Sequence, residues 1–575
     1  MTTIEGKRHT LAHLLAAAVM DLWPDTKRTI GPAIENGFYF DFEFAEPISE
    51  EDFPTIEAKM RELLPTWTSF ERHELSPADA KKEYPDNPYK HELIDEFASE
   101  GQTLTFYRSG TYWDLCRGGH SENPAKEIDP KSFKLDKLAG AYWRGNEKNK
   151  MLTRIYGVAF DTKQELADYL AMMEEAKKRD HRKLGQQLDL FCFSDLVGKG
   201  LPLFTPRGTV LREILNTYSQ GLRAAKGWQR VWTPNITKND LYKTSGHWDK
   251  FGDELFLVKS QETTDELVMK PMNCPHHQQI YASRPRSYRE LPLKFMETTI
   301  DYRDEKAGEL MGLSRVRSIT QDDSHTFCTP DQIEDVYDEL ITITKTFYDR
   351  VGMKLRARLS FRNPETPEKY LGEPELWDKA QSIILKIAQK NGLDYFEAPG
   401  EAAFYGPKID FMARDAIGRE HQLATPQLDF VQPKRFGLTY VAEDGSEQTP
   451  VMIHFALMGS IERFLSVYIE HVAGAFPFWV APEQVRILPV SEKFLDYAHE
   501  VYAKLMQEGI RVEVDTSNES LGKKIRNAEL YKVPHILVVG EKEVADNSVT
   551  LRDFATKEQK AYGVGEYLDL CRKES

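Results

Sequence analysis

The strongest constraint on the fold is a change of pattern after Pro477 and Pro482. Val485-Arg486-Ile487-Leu488-Pro489-Val490 reads as a strand, a helix is predicted over about 492–508, and Ile510-Arg511-Val512-Glu513-Val514 reads as a second strand. A helix near 520–531 and the apolar run His535-Ile536-Leu537-Val538-Val539-Gly540 continue the alternation. Such strand–helix–strand repeats need crossover helices on a sheet. Residues 481–575 are therefore expected to form an α/β domain. Residues 185–480 lack that alternation. Their strand-like runs, among them Leu257-Val258, Leu267-Val268-Met269 and Val451-Met452-Ile453, sit among prolines, aromatics and irregular loops. An antiparallel β-sheet with helices is expected there.

A chain of 575 residues is too long for one hydrophobic core. Upstream, residues 9–20 read as a helix, and Gly37-Phe38-Tyr39-Phe40-Asp41-Phe42-Glu43-Phe44 alternates aromatic and acidic side chains as a strand does. Glycine-studded mixed α+β sequence runs to about residue 160, and the charged amphipathic stretch 163–184 is predicted as one connecting helix. The expected organisation is thus 1–160, a connector at 161–184, 185–480 and 481–575: a multidomain chain of α+β and α/β parts.

The net charge of −16 disfavours a polyanionic partner on average, but binding depends on local patches. One patch is Lys177-Lys178-Arg179-Asp180-His181-Arg182-Lys183, whose composition favours a solvated helix face. Five cysteines (116, 192, 274, 328 and 571) form no CxxC pair, as expected in a reducing compartment. No run of about 18 apolar residues could span a bilayer, and the first residues do not read as a secretory signal. A cytoplasmic, membrane-free protein is expected.

Three candidate metal ligands lie far apart: Cys274, His325 and His454. Cys274 lies in Lys270-Pro271-Met272-Asn273-Cys274-Pro275-His276-His277, a turn-forming context expected to expose a thiolate. In Thr320-Gln321-Asp322-Asp323-Ser324-His325, a strand would put Gln321, Asp323 and His325 on one face. Scattered Cys and His are usually packing or surface residues, although three ligands suit a catalytic zinc with an open fourth position. Near the start, His9 and His13 share a helical face at i, i+4, and Cys116-Arg117-Gly118-Gly119-His120 supplies a further Cys and His.

The surrounding sequence resembles class II aminoacyl-tRNA synthetases. Gly227-Trp228-Gln229-Arg230-Val231-Trp232-Thr233-Pro234 is similar to motif 1. Tyr302-Arg303-Asp304-Glu305 with Arg315-Val316-Arg317 is similar to motif 2, and Gly459-Ser460-Ile461-Glu462-Arg463 to motif 3. Met272-Asn273-Cys274-Pro275, Gln321-Asp322-Asp323-Ser324-His325, Phe404-Tyr405-Gly406-Pro407-Lys408 and Gln427-Leu428-Asp429-Phe430 resemble the threonyl-tRNA synthetase family in particular. The resemblance implies ATP-dependent joining of threonine to tRNA(Thr), one Zn2+ per subunit on Cys274, His325 and His454, Mg2+ with ATP, and a homodimer through motif 1. It places Arg303 on the α-phosphate, Arg463 on the nucleotide phosphates and Arg315 beside them, within a substrate site that includes Met272, Glu305 and Ser460. A guanidinium's planar donors suit such charge. Asp323 is placed to accept the threonine hydroxyl, with Gln321, Tyr405 and Gln427 lining the pocket.

Serine differs from threonine by one methyl, a contact worth only about 1–3 kcal/mol, so a second, hydrolytic site is expected. The resemblance assigns it to His9, His13, Lys90, Asp114, Cys116 and His120, working on Ser-tRNA(Thr) with water and without metal; a cationic Lys90 would stabilise the oxyanion. It assigns anticodon reading to Asn518, Glu543 and Arg552 in the C-terminal domain. Four departures stand out. The resemblance leads us to expect a form that starts at the proofreading helix, without the small ubiquitin-like domain of many relatives. His276 replaces a usual glycine, Thr205 a histidine proposed to assist transfer, and Ile319 an aromatic that often stacks on adenine. A non-catalytic RNA-binding paralogue and a mainly trans-acting deacylase are the alternatives; the retained motif arginines and metal-ligand residues argue against both.

Overall fold

The computed structural model describes residues 3–575, in two compact units, Met1–Glu174 and Glu175–Ser575. In the first, the Thr3 side chain caps the helix Ile4–Leu22 by accepting the Gly6 N–H, which satisfies one of the helix's orphan donors. Leu11, Leu14, Leu15 and Val19 of that helix share a core with Phe38, Phe40 and Phe42, alternate residues of the strand Gly37–Glu43. That strand pairs antiparallel with Lys27–Arg28 and Met151–Ala159, and the latter with Phe133–Tyr142. A second antiparallel sheet, Glu71–Glu74, Thr105–Ser109 and Tyr112–Leu115, presents Asp114 and leads into Cys116.

The connector predicted as one helix over 163–184 is two, Lys163–Arg179 and His181–Gln187. Asp180 breaks it. Its carboxylate accepts the Arg182 N–H at 2.8 Å and so caps a new helix in place of continuing the old one. The basic run is accordingly no uniform solvated face: Arg179 donates to the His471 carbonyl, and His181 is buried.

The second unit is built on a nine-stranded sheet. Its order is Gln229–Arg230, Leu293–Tyr302, Ser318–Cys328, Val451–Ser460, Thr425–Asp429, Lys408–Arg414, Lys354–Phe361 and Tyr395–Pro399, with Glu420–Gln422 beside Lys408–Arg414. Pairing is antiparallel except at the two ends, where Gln229–Arg230 and Tyr395–Pro399 run parallel to their neighbours. Helices Pro206–Ala224, Ile333–Val351, Pro374–Lys390 and Ile461–His471 share its core through Leu211, Leu215, Leu340, Phe347, Ile384 and Phe464. Alternation along Ser318–Cys328 sends Asp322 toward helix Pro206–Ala224, where it accepts from Ser219. Asp323 and His325 are left for the opposite face.

The C-terminal part has strand order Val512–Val514, Val485–Pro489, His535–Val539, Ser548–Asp553, Gln559–Gly563. The first three are parallel, as the strand–helix alternation requires, and the last two add antiparallel. Among the described residues no helix is long and apolar enough to cross a membrane.

Candidate functional site

Strand register assembles the centre of the larger unit. His325 lies opposite Phe295 on one side and His454 on the other, and His454 lies opposite Gln427. Asp323 lies two residues along from His325, opposite Glu297, and Gln321 beyond it faces Thr299; toward Val451–Ser460 the register shifts between Gln321 and Asp323. Cys274 arrives from a different element. It opens the helix Cys274–Ala282, so the expected exposed turn is a buried helix start, with the thiol 1% exposed. Burial holds its pKa well above the usual thiol value. Cys274, His325 and His454 are all buried and bring their ligand atoms within 4.8 Å of one another.

The imidazoles form a chain. His325 Nε2 faces His454 Nδ1 at 3.1 Å, and His454 Nε2 lies 3.0 Å from Asp429 Oδ2. On the other side His325 Nδ1 lies 2.8 Å from His277 Nδ1, whose Nε2 is 3.2 Å from Glu297 Oε2. Carboxylates only accept, so Asp429 draws the His454 proton to Nε2. If Glu297 likewise draws the His277 proton to Nε2, His325 donates from Nδ1, and two lone pairs meet at 3.1 Å beside a thiol. That is a cation site: two nitrogens about 2.05 Å from a tetrahedral metal would stand about 3.3 Å apart. In the reverse order Asn273 donates to His277 Nε2 at 3.0 Å, and the chain closes without an ion. In the first order the donor set fits a metal. Asp323 lies beside it, its Oδ2 3.7 Å from His325 Nε2, with its pKa pushed up to about 6 by burial.

Adjoining this centre is a cavity of about 470 Å³ lined by Arg303, Arg315, Ile319, Gln427, Ser460 and Arg463, with Gln321 and Glu305 also in its wall. Arg315 pairs with Glu305 at 2.6 Å. Among the described residues no carboxylate pairs with Arg303 or Arg463; Arg303 lies over the Phe251 ring and donates to Met272 Sδ at 3.0 Å. Two guanidiniums without acidic partners, facing one cavity, form an anion site. Ser460 caps helix Ile461–His471 by accepting the Arg463 N–H, which fixes where that arginine starts. Tyr405 donates to Gln427 Oε1 at 2.6 Å and stacks on His454.

In the smaller unit, His9 and His13 meet through their Nε2 atoms at 3.2 Å, and Cys116 Sγ lies 3.5 Å from His9 and 3.3 Å from His120. Gly118 and Gly119 adopt φ of +92° and +87°, conformations open to glycine that turn the chain back so His120 returns to Cys116. Burial lowers the pKa of His120 to about 3 and raises that of Cys116 to about 11, so this cluster is neutral at pH 7. Its four ligand atoms also lie within 4.8 Å, close enough for an ion. Lys90 is not a free cation: it is 2% exposed and pairs with Asp114 at 2.8 Å.

The three expected anticodon residues have different immediate partners. Asn518 is exposed, Glu543 caps its own helix by accepting the Gly540 N–H, and Arg552 pairs with Glu529.

Three family models match the chain: the class II tRNA synthetase core domain (G, H, P, S and T) over 256–472, the anticodon binding domain over 484–574, and the threonyl and alanyl tRNA synthetase second additional domain over 104–156. A threonine–tRNA ligase of Gloeobacter violaceus is 52% identical over 554 residues, 95% of this chain and 88% of the relative. That of Deinococcus radiodurans is 48% identical over 568 residues, 96% of this chain and 86% of its own.

The chain belongs to the threonyl-tRNA synthetase family.

A solved structure titled as the RNA binding domain of threonyl-tRNA synthetase from Cryptosporidium parvum is similar with a TM-score of 0.66 and 37% identity, covering 69% of this chain and 98% of that one. In this threonyl-tRNA synthetase several neighbours of the site carry no motif of their own. His277 and Asp429 orient His325 and His454, and Glu297 orients His277. His247 Nε2 lies 3.7 Å from Cys274 Sγ. The His276-His277 pair was the available signal for the first; His247 carries none. His276 lies buried in helix Cys274–Ala282, with no ring hydrogen bond among the described residues. Thr205 caps helix Pro206–Ala224 by accepting the Gly208 N–H, and its hydroxyl donates to the Asp189 carbonyl.

Proposed function

We propose that this chain activates threonine with ATP, transfers it to tRNA(Thr), and hydrolyses Ser-tRNA(Thr) at its N-terminal site. The observation that carries the reading is the His325–His454–Cys274 centre next to a cavity faced by two arginines that no carboxylate pairs with among the described residues. Cys274, His325 and His454 would hold a Zn2+ that, when bound, would supply a Lewis-acidic centre for an amino and a hydroxyl group together, a pair that valine, nearly isosteric with threonine, does not have. Asp323, beside His325, accepts the substrate hydroxyl. Arg303 binds the α-phosphate during in-line attack by the threonine carboxylate, Arg463 the remaining phosphates of Mg2+–ATP, and Arg315 assists once ATP competes with Glu305. Gln321, Tyr405 and Gln427 wall the amino-acid pocket. Thr205 has its hydroxyl committed to a helix cap, so no base is assigned to the transfer step. The test is ATP–pyrophosphate exchange: threonine supports it and valine does not, and absence of exchange in metal-loaded protein overturns the reading.

At the second site, His9, His13, Cys116 and His120 position water against the seryl ester, while the Lys90–Asp114 pair holds the strand Tyr112–Leu115 that leads into Cys116. Substituting Cys116→Ala or His13→Ala is expected to leave threonylation within about twofold and let Ser-tRNA(Thr) accumulate, because a one-methyl difference gives only about 10–200-fold discrimination at the first site. Unchanged serine misacylation would remove the editing assignment. The C-terminal α/β part reads the anticodon through Asn518, Glu543 and Arg552, the last two exchanging internal partners for bases. A cytoplasmic homodimer through 227–234 completes the reading; Trp232, 82% exposed there, is a residue such an interface would cover, and a monomeric mass in solution would refute it.

A further inference from the structure

One buried histidine outside both sites holds the backbone of the phosphate-side loop. Residues 311–315 form a tight turn, closed by hydrogen bonds in both directions between Met311 and Arg315. Its far limb carries Ser314 and Arg315 into the cavity wall. Its tip, Leu313, is fully buried, and the Leu313 N–H donates to His181 Nε2 at 3.1 Å. His181 Nδ1 lies 2.7 Å from Glu470 Oε1, and Glu470 also accepts the His181 N–H. A carboxylate can only accept, so the ring proton sits on Nδ1 and Nε2 is left as an acceptor aimed at the turn. The contact is close: a Cβ added at Gly312, where φ is +51°, would lie 2.3 Å from His181 Nε2. Glu470 is fixed in turn by Arg419 at 2.5 Å. Asp180, His181 and Glu470 also satisfy the spacing of a metal set, but Nε2 is spent on Leu313 and Asp180 on Arg182.

We propose that His181 is a positioning residue for ATP binding: its Nε2 anchors the 311–315 turn and thereby places Arg315 at the nucleotide. The inference rests on the reading of the adjoining cavity as the ATP site. Losing the acceptor leaves a buried N–H unsatisfied with the loop docked, so the loop undocks and ATP must reorder it.

The test is ATP–pyrophosphate exchange on the full chain, with KM for ATP and for threonine measured separately. For His181→Ala, KM for ATP is expected to rise about tenfold, with KM for threonine within about twofold, the scale of one buried hydrogen bond. His181→Gln, whose amide oxygen reaches the place of Nε2, restores most of the ATP affinity; His181→Asn, which reaches only the place of Nδ1, does not. Gly312→Ala reproduces the His181→Ala signature from the other side of the contact. Equal effects on both KM values, or Gln and Asn behaving alike, reduce His181 to general stability and overturn the inference. Wild-type exchange with unaffected variants also overturns it, whereas no exchange in the wild type overturns the ATP-site reading itself.

Discussion

Cys274→Ser protein is expected to purify with almost no bound zinc and to lose threonine-dependent exchange by about 10³-fold or more. The expectation follows from the proton order along Glu297, His277, His325, His454 and Asp429. Only with a cation present can two lone pairs stand 3.1 Å apart between His325 and His454. Exchanging thiolate for hydroxyl removes the softest of three donors, and a site with two imidazoles holds zinc poorly. Without the ion the imidazole chain can close in its reverse order, with Asn273 donating to His277, so the fold survives and the loss is chemical. Metal content by emission spectroscopy, thermal melting and exchange kinetics separate these. Wild-type protein that is active without zinc would falsify the metal reading outright; a Cys274→Ser variant that retained stoichiometric zinc would exclude Cys274 as a ligand.

The second large effect lies in the smaller unit. Asp114 is fully buried between Lys90 at 2.8 Å and Arg28 at 3.3 Å and accepts from the hydroxyls of Tyr84 and Tyr112. Burial alone would raise its pKa, but the two cations outweigh burial and hold the carboxyl below its usual range. Asp114→Asn leaves two cations without their counter-charge and is expected to destabilise this unit by about 3–5 kcal/mol, the usual cost of removing one partner of a buried ion pair. Amide hydrogen exchange along helix Ile4–Leu22 in the full chain reads the loss, and protection unchanged within about tenfold would exclude it. The sign with pH follows. Because the folded pKa is depressed, the stabilisation is present above the unfolded value of about 3.9 and is lost as pH falls toward the lower folded value. Lys90→Met, which keeps the Arg28 pair, should cost less than Asp114→Asn. It should also lower hydrolysis of Ser-tRNA(Thr) only as far as the strand carrying Cys116 loosens.

Much of this was legible before any coordinates, and the reason is local. Backbone geometry sets a period of two in a strand, so Asp323 and His325 had to share a face; it sets 3.6 in a helix, so His9 and His13 had to meet. The alternation after Pro482 required parallel pairing, and Val485–Pro489 runs parallel to both Val512–Val514 and His535–Val539. Charge and periodicity run on unbroken through 163–184, yet Asp180 offers a competing cap, and His181 beside it meets Glu470, nearly 300 residues away. Cys274 looked exposed because Asn-Cys-Pro favours a turn, yet the same proline is welcome at the start of a helix, and only packing chose between them. What the sequence by itself determined was which residues share a face and where elements alternate, since those follow from bonds along the chain. What the tertiary structure decided was register and pairing: His325 against His454, Lys90 against Asp114, His181 against Leu313. Those contacts join residues from 24 to 132 positions apart, and no local periodicity carries that information.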